Sequence, residues 1–98
     1  MAHHKSAKKR IKTNEKRRLY NRSVRSRVKT YVRYFTEIAD KAAENTANLA
    51  QYRDEALVKL RKAVSELHKA VSKGVLKRTT AGRKISRLAT RFGKIFNP

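Results

Sequence analysis

The chain contains no cysteine and no tryptophan, one proline at its very end, and three isolated glycines. Without cysteine there is no disulfide, no thiolate metal site and no cysteine nucleophile. With no two glycines close together, no phosphate-cradling loop can form. No run of ten apolar residues exists, which rules out a signal-peptide core and a membrane-spanning helix. Acids are scarce: 7 Asp and Glu against 27 Lys and Arg, for a formal net charge of +20 on 98 residues. Self-repulsion on that scale opposes compaction unless a large anion is present.

What is there is charge, unevenly spread. From Lys5 to Arg33 the chain holds 13 basic residues and a single acid, Glu15, with no Pro or Gly to interrupt it. Residues 1–34 carry net +12, residues 35–72 carry net zero and residues 73–98 carry net +8. A neutral middle between two cationic ends predicts a packed centre with two binding arms. The basic start runs without a break into an apolar stripe, so it reads as mature protein and not as a transit peptide.

Hydrophobic spacing predicts three helices. Val24, Val28, Tyr31, Val32, Phe35, Ile38, Ala39 and Ala42 recur at three- and four-residue steps, one face of a helix. Tyr20 lies at the edge of that face, whereas Ile11 and Leu19 point elsewhere. The expected helix runs from about Ala7, capped by Ser6, to Glu44. At 1.5 Å per residue it is about 55–60 Å long, too long for its partners to cover, so its first half should project. Asn45–Asn48 breaks the pattern, and Asn48 with Gln51 suggests an N-cap and capping box. A second stripe follows through Leu49, Tyr52, Ala56, Leu57, Leu60, Ala63, Val64, Leu67, Ala70 and Val71, with Arg53 a misfit near its centre. Glu55 and Lys59 are spaced for an i,i+4 pair. Gly74 should end this helix in a left-handed C-cap. A third helix, capped by Thr79 or Thr80, presents Ala81, Ile85, Leu88, Phe92 and Ile95. Gly82 and Gly93 each weaken it by about 1 kcal/mol relative to Ala. The expected fold is all-α: one domain over 1–98, an antiparallel three-helix bundle over about 24–96 with a long, basic, protruding N-terminal helix whose extension is 1–23.

Catalysis finds little footing. Asp40 and Glu44 are one turn apart, but two carboxylates fall short of the six or so oxygens a divalent ion takes. His3 and His4 at the start could hold a transition metal, although a solvated or phosphate-touching pair is the plainer reading. His68 borders the second stripe and reads as a half-buried, hydrogen-bonded histidine without a catalytic partner. We expect no enzyme, no cofactor, no metal and no small-molecule substrate.

Nucleic-acid binding has positive support. Lysine and arginine are nearly equal, 14 and 13; Arg offers phosphate a planar fork and can stack on bases, while Lys is a point charge. In the first helix the cations go all round: Lys5, Lys8, Lys9, Arg10 and Lys12, then Lys16, Arg17, Arg18 and Arg22, then Arg25, Arg27 and Lys29. A cylinder charged on every side suits a crevice between several duplexes, which favours folded RNA over a DNA rod. Ser6, Thr13, Asn14, Asn21, Ser23 and Ser26 are interleaved and can bond phosphate or 2′-hydroxyl oxygens. Tyr20 and Tyr34 can stack on an unpaired base or pack at the helix edge. Lys77, Arg78, Arg83, Lys84 and Arg87 form the second basic arm. Two rivals exist. A nucleoid-associated, DNA-compacting protein would bind any duplex. A membrane-active cationic helix needs a strong apolar face and Trp anchors within its basic region, and residues 5–19 have neither.

The same residues resemble the N-terminus of the bacterial small-subunit ribosomal protein twenty family. Lys5-Ser6-Ala7, Lys9-Arg10, Glu15-Lys16-Arg17-Arg18 and Ser26-Arg27-Val28-Lys29-Thr30 match its motifs in order. Lys73-Gly74-Val75-Leu76-Lys77-Arg78, then Arg83 and Ser86-Arg87-Leu88, are similar to its late Lys-Gly and basic third helix. His3, Thr79, Thr80, Gly82 and Ile85 depart from the commoner residues. The resemblance implies a three-helix protein that binds 16S-type rRNA directly, bridging the 5′ domain and the long helix near the 3′ end early in small-subunit assembly. It implies rRNA and neighbouring small-subunit proteins as partners, and a cytoplasmic ribosome, with an organellar one left open. The first twenty or so residues bury too little apolar surface to offset their ordering entropy and should be largely unfolded without RNA.

Overall fold

The computed structural model describes residues 2–97, with side chains described from Ser6 onward. Lys5, His3 and His4 therefore fall, as side chains, outside the described residues. Among the described residues there are three helices, α1 (Ala2–Glu44), α2 (Leu49–Ser72) and α3 (Arg78–Phe96), with a 3₁₀ turn at Thr46–Asn48. No strand occurs among the described residues.

Helix α1 is longer than its spacing suggested. Ser6 lies inside it and is not its N-cap, because residues 2–5 contain neither Pro nor Gly to stop the helix. The apolar stripe of α1 is buried at Val24, Val28, Phe35, Ile38, Ala39 and Ala42, with Phe35 fully enclosed. Tyr31 and Val32 are half-buried against it.

The α1–α2 connection is tight. The Asn45 amide donates to the carbonyls of Lys41 and Ala42, and the Asn48 amide to the Asn45 carbonyl at 2.9 Å. Asn48 occupies the N-cap position of α2, but its side chain makes no capping bond. Its backbone, φ −118° and ψ 31°, follows the 3₁₀ turn and not the extended conformation from which an N-cap oxygen reaches the first turn. The expected capping box is therefore absent. Helix α2 then runs back along α1: Tyr20 faces Lys73, Tyr31 faces Lys62 and Tyr34 faces Lys59, an antiparallel register. Lys59 reaches the Tyr34 ring at 5.3 Å, and no Glu55–Lys59 pair forms among the described residues. Arg53 is exposed.

Helix α2 ends as its Lys-Gly sequence predicts. Gly74 has φ +74°, a left-handed conformation that costs any residue with a Cβ about 1 kcal/mol or more. Its amide donates to the Val71 carbonyl at 2.9 Å and the Val75 amide to the Ala70 carbonyl at 3.0 Å. These are the paired bonds of a Schellman motif, completed by burial of Val75 in the core. Lys77, extended at φ −71° and ψ 143°, takes the N-cap position of α3. Thr79 and Thr80 thus lie in the first turn and do not cap it; the chain has already turned at Lys77. Ala81, Leu88 and Phe92 are buried as expected, Ile85 and Ile95 pack at the edge, and Phe96 is a core residue that periodicity missed. The rings of Phe92 and Phe96 lie 4.8 Å apart. Arg91 of α3 pairs with Asp40 of α1.

The molecule measures 71 × 20 × 16 Å, and its length is that of α1. Every side chain from Ser6 to Tyr20 is exposed. Among the described residues no helix is long and apolar enough to cross a membrane.

Candidate nucleic-acid interface

The rod of α1 beyond the bundle carries Lys8, Lys9, Arg10, Lys12, Lys16, Arg17 and Arg18, all exposed. A helix turns 100° per residue, so consecutive cations at 8–10 and 16–18 spread around the axis. Its first turn has no acid; the positive end of the helix dipole and the lysines there add to one another. Such a surface is repulsive to itself and attractive to phosphate from any direction. Thr13 is less available than its position suggested. Its hydroxyl donates to the Lys9 carbonyl at 2.9 Å, which leaves no proton for a phosphate oxygen.

Where α1 enters the bundle the cations divide into two sets. Arg22, Arg25 and Lys29 are exposed, Asn21 is half-buried, and none of the three cations makes an ion pair among the described residues. Arg27 is different. Its Nε sits 3.1 Å from the Glu66 carboxylate and its guanidinium lies 5.8 Å from the Tyr31 ring centroid. Glu66 is 3% exposed and also holds Lys62 and Lys69, each at 3.7 Å. One buried carboxylate thus gathers three cations at the seam between α1 and α2. Sequence reading missed Glu66, although the signal existed: it borders the apolar stripe of α2, with Lys at i−4 and i+3.

The tyrosines form a cationic face and not open stacking platforms. Tyr31 and Tyr34 meet edge to face at 5.9 Å. Lys62 and Arg27 lie over the first ring, Lys59 and Arg33 over the second. Tyr20, half exposed, holds Lys73 at 5.9 Å from its centroid. Each contact satisfies an aromatic face with a lysine or arginine of the same chain.

The second basic arm lies on α3. Lys77, Arg78, Arg83 and Arg87 are exposed and Lys84 half-buried. Lys84 and Arg87 share with Lys29 and Arg33 a groove of about 450 Å³ between α1 and α3. Fold and sequence pattern together bring these residues of α1 and α3 to one side, whereas the N-terminal rod and Lys77–Arg78 remain apart from it. His68 is exposed on α2, contrary to the half-buried position expected; it lies one residue past Leu67, off the stripe. Asp40 is engaged with Arg91 and shares no metal position with Glu44; among the described residues no group of three or more potential ligands gathers.

Comparison with known proteins gives the family. The family described as "Ribosomal protein S20" matches over residues 2–93. The chain is 47% identical over 96 residues to "Small ribosomal subunit protein bS20" of Caldanaerobacter subterraneus subsp. tengcongensis, covering 97% of this chain and 82% of that one. It is 44% identical over 91 residues to the protein so named of Pelotomaculum thermopropionicum, covering 93% of each. It is 41% identical over 95 residues to that of Desulforudis audaxviator, covering 97% of this chain and 98% of the relative.

Proposed function

Starting from the fact that this chain belongs to the ribosomal protein S20 family, we propose that it is a structural constituent of the small ribosomal subunit that binds 16S-type rRNA directly through phosphate contacts. It is a non-enzymatic protein whose place is the ribosome, in the cytoplasm. The observation that carries the reading is the exposed rod: residues 6–20 bury nothing, yet hold seven cations and one acid.

A rod of this kind has no use as a solvated surface, since solvated faces mix signs and lower their own repulsion. Inserted between RNA helices, its all-round charge neutralises phosphates on several of them at once. Lys77, Arg78, Arg83, Lys84 and Arg87 engage RNA from a second side, and the neutral stretch 35–72 sets the spacing between the two arms. Arg22, Arg25 and Lys29 continue the rod's contacts towards the bundle. Neighbouring small-subunit proteins meet the faces that RNA leaves uncovered. Ordering of the rod is completed on RNA, where phosphate replaces the mutual repulsion of its lysines.

The test is the salt dependence of binding to a 16S-type rRNA transcript. About eight engaged phosphates give a slope of log K against log salt of roughly −6 to −7. A slope shallower than about −3 rejects the phosphate mechanism. Competition by random-sequence duplex DNA separates the ribosomal reading from the DNA-compacting one: equal competition favours the latter.

A further inference from the structure

The groove between α1 and α3 has an unusual construction for so charged a protein. Its floor is apolar, made by Val28, Val32 and Leu88. Thr36 also lines it, and its hydroxyl donates to the Val32 carbonyl at 2.9 Å, so the groove gains no free hydrogen there. Its rim is wholly cationic: Lys29 and Arg33 from α1, Lys84 and Arg87 from α3. No acid lines it. Arg33 is held by Glu37 at 3.7 Å; the other three make no ion pair among the described residues.

A phosphate alone engages only the rim and leaves the apolar floor without a partner. An apolar side chain alone does not explain four rim charges. The ligand that satisfies both parts has a flat apolar face and an anion on each side, which is a nucleotide with its base unstacked. A duplex cannot supply one, since its bases are stacked inside. The groove between α1 and α2, of about 400 Å³ and lined by Tyr31 and Tyr34, is a poorer candidate, because Lys59 and Lys62 already lie over its rings.

Resting on the reading of the protein as an rRNA binder, we propose that the α1–α3 groove holds one extruded base of a single-stranded RNA segment. Val28, Val32 and Leu88 contact the base, and Lys29, Lys84 and Arg87 hold the phosphates flanking it. The protein therefore distinguishes an unpaired nucleotide from duplex RNA at this position, whereas the α1 rod does not.

The test uses the full chain with methyl-labelled valine and leucine, titrated with an octauridylate and with an RNA hairpin of equal phosphate number. Octauridylate is expected to shift the methyl signals of Val28, Val32 and Leu88, and the hairpin to leave them in place. The double variant K84A/R87A is expected to weaken binding of both RNAs, and of octauridylate at least threefold more than of the hairpin. Equal methyl shifts with both RNAs, no methyl shift with octauridylate, or equal losses in the variant overturn the proposal. The ribosomal reading fails separately, by lack of preference for a 16S-type transcript over duplex DNA while the octauridylate shifts persist.

Discussion

One helix, α1, contains two regions that differ in almost everything except their backbone. From Val24 to Ala42 it buries a residue at nearly every turn, Phe35 completely. From Ser6 to Tyr20 it buries none, and its apolar side chains there, Ile11 and Leu19, are each 60% exposed. Both stretches are rich in helix-forming residues, so propensity does not separate them. What separates them is a partner: α2 and α3 cover the later half, and nothing among the described residues covers the earlier one. Helical continuity is thus no guide to stability, because an uncovered helix of this length is marginal in water and like charges at i,i+4 weaken it further.

The comparison is sharpest in hydrogen exchange. In the free protein, amides of residues 6–20 are expected to exchange close to unprotected rates and those around Phe35 and Leu67 to be slowed by orders of magnitude; uniform protection along α1 would erase the contrast. Next in size is a matched truncation in each half. Phe35→Ala is expected to cost about 3–5 kcal/mol of stability in urea titration, whereas Leu19→Ala is expected to stay within about 0.5 kcal/mol.

The seam between the regions is a subtler target. Glu66→Gln leaves Arg27, Lys62 and Lys69 without their shared anion. All three are about half exposed, so water screens much of the loss, and we expect about 1–2 kcal/mol, read as a lower urea midpoint that shrinks further at low salt. Smallest are the glycines. Gly74→Ala should cost about 1 kcal/mol through its left-handed backbone. Gly82→Ala, in a helix with open space where the methyl would go, should add about 0.5–1 kcal/mol. A destabilising Gly82→Ala would mean that the flexibility of α3 is tied to something outside the bundle.

Much of this was legible beforehand. The stripe from Val24 to Ala42 is a matter of spacing, and spacing decides which side of a helix a residue takes. Gly74 marked its turn because a left-handed residue after a helix leaves few alternatives. The capping prediction at Ser6 failed because nothing in residues 2–5 stops α1; those at Asn48 and at Thr79 or Thr80 failed for another reason. A cap depends on the conformation of the residues beside it, and here Lys77 and the 3₁₀ turn had already set the chain's direction. Phe96 was missed because the periodic stripe of α3 seemed complete at Ile95, one residue before the core ended.

Composition and order of residues alone determined that the protein is helical, that one helix outruns its partners and that its free surface attracts polyanions. Those properties are local or additive: periodicity, propensity and charge need no knowledge of what lies across the bundle. The tertiary structure decided which cations remain available. Arg27, Lys59, Lys62, Lys69, Lys73 and Arg91 are drawn to Glu66, Asp40 or a tyrosine ring, while Lys29, Lys84 and Arg87 are left around an apolar groove. That sorting depends on the register and rotation of one helix against another, and Coulomb and aromatic contacts at 3–6 Å are set by those offsets, to which neither helix's own sequence refers.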